Sequence, residues 1–227
     1  MTADLRLVIF DVDGTLVDSQ GDILAAMAEA FAAVDQTLPD RATLLGVVGL
    51  SLGVIFPRLC PHLGEDEHLR MEAAYREAYV ALRTRTGAAD SSPLYPGALA
   101  ALTALQARDE VLLGVATGKS KRGLDKLIAG HNLEGLFVTQ QVADFHPSKP
   151  HPSMLEQALA ETGVSAERAV MVGDTRFDME MARAAGIPGI GVSWGYHPRG
   201  ALDAAHCVID TYEALLPALD SLWGIPA

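Results

Sequence analysis

The apolar run Leu5-Arg6-Leu7-Val8-Ile9-Phe10 ends directly in Asp11-Val12-Asp13-Gly14-Thr15-Leu16-Val17-Asp18-Ser19, and this junction constrains the chain more than any other stretch. A short apolar run bounded by turn residues reads as a buried strand. Two carboxylates then stand where that strand ends, and open α/β sheets bind ligands outside the carboxyl ends of their strands. Like charges so close cannot both stay ionised cheaply without a compensating cation. Hard oxygen donors favour a divalent ion such as Mg²⁺. Asp and Gly are also ordinary turn residues, so the same stretch would serve as an acidic turn. Distant segments decide between the two.

Downstream, the chain has two rhythms. From residue 22 to 85 the patterns are helical: 22–34, 39–45, 51–59 and 65–85, the last opened by Glu65, Asp66 and Glu67 and carrying Arg76, Arg83 and Arg85 toward its end, as the helix dipole prefers. Met71, Tyr75, Tyr79 and Leu82 share one face of that last helix and read as packing, ahead of an aromatic substrate clamp. Residues 87–97, GAADSSPLYPG, form the clearest linker. Beyond it helices at 98–107, 119–129, 153–161, 178–185 and from Tyr212 alternate with strands at 111–116, 137–139, 169–172, 190–192 and 207–209. Such alternation predicts an α/β fold with a doubly wound parallel sheet. The helical stretch is too long for a loop. It is expected to be an inserted cap over residues 17–91, with the core built from 1–16 and 92–227.

The chain has 227 residues, 49% of them hydrophobic, enough to bury a sizeable core. Its formal charge is −12, and lysine occurs only at 119, 121, 126 and 149, which argues against nucleic acid or an anionic membrane as partner. A small anionic substrate stays compatible, because a bound metal and a few placed cations reverse the local potential. No apolar run reaches the roughly 18 residues of a membrane span, and the N-terminal residues do not read as a secretory signal. Cys60 and Cys207 show no metal-ligand spacing and read as buried thiols, so a cytoplasmic location is expected. A monomer and a homodimer are both compatible.

Three further segments sit at strand ends. Thr117-Gly118-Lys119-Ser120 opens a helix, where a hydroxyl and backbone N–H groups can meet an anion. Lys149 stands in a proline-rich loop, residues 146–152, that limits where its ammonium points. Gly173-Asp174-Thr175-Arg176-Phe177-Asp178 adds two carboxylates. Singly each has a bland explanation: Thr117 would cap a helix, Lys149 would be solvated, and Asp174 and Asp178 would be a cap and a first-turn acid. Asp18, Ser19 and Asp22 read as caps. Together, and in this order, the segments describe a site for a metal and a phosphate with one carboxylate left to attack.

Over essentially its whole length the chain resembles the haloacid dehalogenase-like hydrolases. DVDGTLVDS is similar to their first motif, ATGKS to the second, the lysine of SKPHP to the third and GDTRFDME to the fourth, and Gly191–Tyr196 looks like the phosphoglycolate phosphatase branch. The resemblance implies a Rossmann-like core with a mobile cap. It implies Asp11 as nucleophile forming an aspartyl-phosphate and Asp13 as general acid and then base. It also implies Mg²⁺ on Asp11, Asp174 and the Asp13 carbonyl, with Asp178 as an additional or outer residue, and Thr117, Gly118 and Lys149 on the phosphate. The implied substrate is a small phosphorylated metabolite, phosphoglycolate leading, with nucleotidase, pyrophosphatase and β-phosphoglucomutase chemistry as alternatives.

Rival readings fare worse. Metal-free dehalogenases of the superfamily lack the second acid, here Asp13, and the phosphonatase branch needs a cap lysine that residues 17–95 do not contain. β-Phosphoglucomutases typically carry an arginine before Ser-Leu in the cap, where this chain has Gly49-Leu50. A P-loop needs four residues between its glycines, and Gly114 to Gly118 encloses three. Arg58, His62, Phe56 and residues 46–53 are the cap candidates for contact with a leaving group.

Overall fold

The computed structural model describes residues 5–225. The chain opens with strand β1 (Arg6–Phe10) and runs through four helices: α1 (Gln20–Ala32), α2 (Arg41–Leu45), α3 (Leu52–Leu59) and α4 (Glu65–Thr86). A short helix α5 (Ala88–Ser91) interrupts the linker, and α6 (Ala98–Gln106) leads into β2 (Val111–Thr117). Then follow α7 (Lys121–Gly130), β3 (Thr139–Val142), α8 (Ser153–Thr162), β4 (Ala169–Gly173) and α9 (Arg176–Ala184). β5 (Gly189–Val192), β6 (Cys207–Ile209) and α10 (Leu215–Leu222) complete the order.

The six strands form one parallel sheet in the order β3-β2-β1-β4-β5-β6, with β1 between β2 and β4. The chain therefore winds to one side of β1 and then to the other. The strand order reverses at the β1–β4 boundary, the place where doubly wound sheets leave a crevice.

Alternation along β1 divides the core. Val8 and Phe10 face one layer with Leu102 and Leu105 of α6, Leu127 of α7 and Leu219 of α10. Leu7 and Ile9 face the other, with Met154 and Leu155 of α8 and Met181 of α9. A strand covered on both faces reads as a continuous apolar run, which is why residues 5–10 and 169–172 stood out in the sequence.

Helices α1 to α4 pack around a third cluster that includes Ile23, Met27, Phe31, Ile55, Phe56 and Met71. Phe177 of α9 joins it, so this cluster touches the α/β core. The chain crosses between the two at residues 16–18 and 93–95 side by side, where Pro93 O accepts from Asp18 N and Leu16 O accepts from Tyr95 N, each at 2.9 Å.

The third strand differs from the expected Phe137–Thr139: it is Thr139–Val142. Phe137 is buried ahead of the strand and Val138 is exposed, while the strand itself buries a polar pair. Gln141 Nε2 donates to Thr139 Oγ1 at 2.7 Å and to Glu161 Oε2 of α8 at 2.8 Å. Cys207 is half-buried rather than buried.

Candidate active site

Asp11 leaves β1 at the carboxyl edge of the sheet, and its backbone N–H donates to Val172 O of β4 at 2.9 Å. Its side chain is buried, and Oδ1 accepts from Lys149 Nζ at 2.8 Å. The same ammonium donates to Asp178 Oδ1 at 2.6 Å, and its side chain is fully enclosed. Asp174, just beyond β4, accepts from Thr15 Oγ1 at 2.9 Å and from Tyr196 N at 2.8 Å. The turn that carries Asp13 must lie flat against it. Gly14 has φ +84°, and a Cβ there would stand 2.2 Å from Asp174 Oδ2.

One carboxylate oxygen each from Asp11, Asp174 and Asp178 lie within 4.8 Å of one another, all buried. A single lysine is in hydrogen-bonding contact with this group, and Asp11 Oδ2 has no hydrogen-bond partner. Burial, partly offset by Lys149 and reinforced by Asp178, pushes the Asp11 carboxyl up to about 7. Burial and the charges of Asp11 and Asp178 push Asp174 well up too. Clustered hard oxygens, surplus negative charge and an orphaned carboxylate atom fit a divalent cation. Asp178 is the least available donor. Its Oδ2 already accepts from Thr175 N at 3.0 Å and from the Thr175 hydroxyl at 2.6 Å, closing the reciprocal cap at the start of α9.

Asp13 faces a different neighbour. Lys119 Nζ donates to its two oxygens at 2.6 and 2.8 Å, and Ser19 Oγ donates to Oδ1. Lys119 also donates to Tyr79 Oη of α4 at 2.9 Å, so one ammonium joins the acid of the first turn to the helical segment. Burial pushes the Asp13 carboxyl up, but Lys119 and the Ser19 hydroxyl outweigh it and hold the carboxyl below its usual range.

Thr117 is fully buried, and its Oγ1 accepts from Lys119 N at 3.2 Å. At Gly118 a Cβ would lie 2.8 Å from Gly49 O, which is how closely the two parts of the molecule approach there. Thr117 and Gly118 line one cavity of about 710 Å³ together with Asp11 and Asp13. All seven expected site residues thus gather at the strand ends, in two sets. Lys149, Asp174 and Asp178 surround Asp11, and Lys119 holds Asp13 beside Thr117 and Gly118.

Several expectations are corrected. Ser19 occupies the N-cap position of α1 but makes no side-chain cap; its hydroxyl goes to Asp13, and its backbone N–H donates to Tyr196 Oη at 2.9 Å. Asp22 is buried opposite Arg83 of α4, Oδ2 to Nε 3.8 Å, and is no cap. Asp18 does cap, accepting from Gln20 N at 3.3 Å. Among the proposed contact residues, Phe56 is core, His62 pairs with Gln36, and Arg58 lies over the Phe177 ring. Residues 48–53 do reach the cavity.

Lys119 was missed because it stands ahead of its helix, which begins at Lys121 with Ser120 as N-cap. Tyr75 and Tyr79 line the cavity as well as packing on the helical cluster, so the aromatic stripe serves two surfaces.

A family model for the haloacid dehalogenase-like hydrolases matches residues 8–192. The chain is 34% identical over 220 residues to a probable phosphatase, IndB, of Dickeya dadantii, covering 95% of this chain and 94% of that one. It is 34% identical over 244 residues to a phosphoglycolate phosphatase of Rhodospirillum rubrum, covering 98% and 97%. Among solved structures, CbbY of Rhodobacter sphaeroides in complex with phosphate superposes with a TM-score of 0.79 at 26% identity, over 95% of this chain and 99% of that one. Matches of this extent, on a fold whose strand ends collect these acids and lysines, make the chain a haloacid dehalogenase-like hydrolase, a phosphoric monoester hydrolase of the phosphoglycolate phosphatase-like branch.

Proposed function

We propose that this protein is a Mg²⁺-dependent phosphatase that hydrolyses a small phosphomonoester in two steps through an aspartyl-phosphate on Asp11. The observation that carries the reading is Asp11 Oδ2: a buried carboxylate oxygen without a partner, at the floor of the cavity. Such an atom is costly to bury unless it has a partner to meet in the working state.

Lys149 fixes the other Asp11 oxygen and so aims the free one. Thr117 and the Gly118 backbone would hold the non-bridging oxygens of the phosphoryl group. Asp13 gives its proton to the departing alcohol and later takes one from the water that cleaves the acyl phosphate. With Lys119 on it Asp13 is held ionised, which suits the second step. The first therefore calls for the Lys119 contact to open. Asp11, Asp174 and the Asp13 carbonyl would hold Mg²⁺, with Asp178 outside them. The ion supplies charge neutralisation between a carboxylate nucleophile and a phosphate dianion.

The helical segment 17–91 is proposed to act as a cap that closes over this floor. Phosphoglycolate is the first substrate to test, on the likeness to the relatives. Hydrolysis of p-nitrophenyl phosphate with and without Mg²⁺ tests the class: Mg²⁺-dependent turnover is expected. Silence in both conditions, or transfer of the phosphoryl group to a sugar phosphate in preference to water, would overturn it.

A further inference from the structure

Asp13 has a second holder besides Lys119, and that holder is anchored far along the chain. Ser19 Oγ donates to Asp13 Oδ1, and Ser19 N donates to Tyr196 Oη at 2.9 Å. Ser19 Oγ and Tyr196 Oη lie 3.2 Å apart. The serine proton is on Asp13, so within that pair the phenol donates and the serine oxygen accepts. The loop that carries Tyr196 is itself pressed onto Asp174 and the first turn. Trp194 Nε1 donates to Thr15 O at 3.1 Å, and Tyr196 N donates to Asp174 Oδ2 at 2.8 Å. Between them Gly195 leaves no room for a side chain: a Cβ there would stand 2.1 Å from Asp174 Cβ. One short segment therefore grips the first turn at Thr15 and again at Ser19.

We infer that Tyr196 is a positioning residue for proton transfer to the leaving group: its hydroxyl holds Ser19, and Ser19 aims the carboxyl of Asp13. Among the described residues the Asp13 side chain has two hydrogen-bonding partners, Lys119 and Ser19. Once Lys119 withdraws for the first step, Ser19 alone fixes the carboxyl. It sits on Oδ1, so Oδ2 is the oxygen that carries the proton to the departing alcohol. A serine hydroxyl left to itself turns among its rotamers. The two contacts from Tyr196, one to the Ser19 backbone and one to its Oγ, restrict that rotation. Packing alone does not account for Tyr196. Its ring lies against the helical cluster, but that contact needs the ring and not the hydroxyl.

The inference rests on the proposed phosphatase reading, and its test separates the two. The test compares kcat/KM for phenyl phosphate and p-nitrophenyl phosphate, similar esters whose leaving groups differ in their need for a proton. That quantity covers the steps up to formation of the aspartyl-phosphate. Tyr196→Phe removes only the hydroxyl. It should lower kcat/KM for phenyl phosphate by about tenfold, part of what a placed general acid supplies, and barely change that for p-nitrophenyl phosphate. Ser19→Ala should reproduce this split, and Ser19→Thr, which keeps a hydroxyl, should restore most of the lost rate. Adding Tyr196→Phe to Ser19→Ala should deepen the loss little, because both act through one chain of contacts. Equal losses on the two esters, or a double variant whose loss is the product of the single ones, would overturn the inference and leave the phosphatase reading standing. No Mg²⁺-dependent hydrolysis of either ester by the unaltered protein would defeat that reading instead. Should Tyr196→Phe fail to fold, Tyr196→Met also lacks the hydroxyl and is judged by the same criteria.

Discussion

Asp11 and Asp13 stand on the same turn and each meets a lysine, yet their surroundings push them in opposite directions. Around Asp11 three carboxylates cluster beside one ammonium, Lys149, which touches Asp11 and Asp178 but not Asp174, and the nucleophile's carboxyl is pushed up to about 7. Around Asp13 one carboxylate has one ammonium, a serine hydroxyl and a tyrosine beyond them, and it is held down. One side is short of positive charge and the other is balanced. The imbalance locates where a cation belongs, and the balance shows which acid is held by the protein alone.

The comparison can be broken at several points. Asp11→Asn should lower turnover by about 10⁴-fold or more, the scale on which loss of a covalent nucleophile acts, with circular dichroism unchanged. Substantial residual phosphatase activity would remove Asp11 from its role.

Asp13→Asn should cost about 10²–10⁴-fold, the usual share of a general acid–base group. Because it also slows hydrolysis of the acyl phosphate, acid quenching with labelled substrate should trap more phosphoenzyme than in the parent. A loss of activity with no change in trapped label would argue that only the first step uses Asp13.

Lys119→Met removes the charge that holds Asp13 down. The ionisation assigned to Asp13 in the pH profile of kcat/KM should move to higher pH, and an unmoved profile would show that Lys119 does not govern it. Lys119→Arg should restore part of the shift.

The smallest effect concerns pH and metal together. The Asp11 carboxyl titrates at about 7 in the folded protein against an ordinary value of 3.8. Between those values the folded state holds the extra proton, so its metal-free stability falls as pH rises through that window. Mg²⁺ must displace that proton and compete with one on Asp174, whose carboxyl is also pushed well up, so its affinity should climb with pH through about 7. Thermal melts with and without Mg²⁺ should show a larger rise in Tm at pH 8 than at pH 5. Equal rises would mean that Asp11 is already ionised at the lower pH.

The sequence made the sheet legible where strands are buried on both faces, as at Val8 to Phe10 and Val170 to Val172. It misplaced the third strand because Thr139 and Gln141 satisfy each other and Glu161 inside the fold, a pairing that hydropathy cannot register. The acids and Lys149 were legible because strand ends announce themselves by a sudden change from apolar to charged residues. Lys119 and Ser19 were not. Each has an adequate local reading, helix start or cap, and only the tertiary arrangement turns both toward Asp13. Tyr75 and Tyr79 show the same limit from the other side, since a packing stripe and a cavity wall share one spacing.

The carbonyl of Thr15 accepts from Trp194 Nε1 at 3.1 Å and from Tyr212 Oη at 2.8 Å. Both donors come off the ribosome long after Asp11 has emerged. The reactive turn is therefore locked only once residues 179 and 197 positions further along the chain have been made and folded against it.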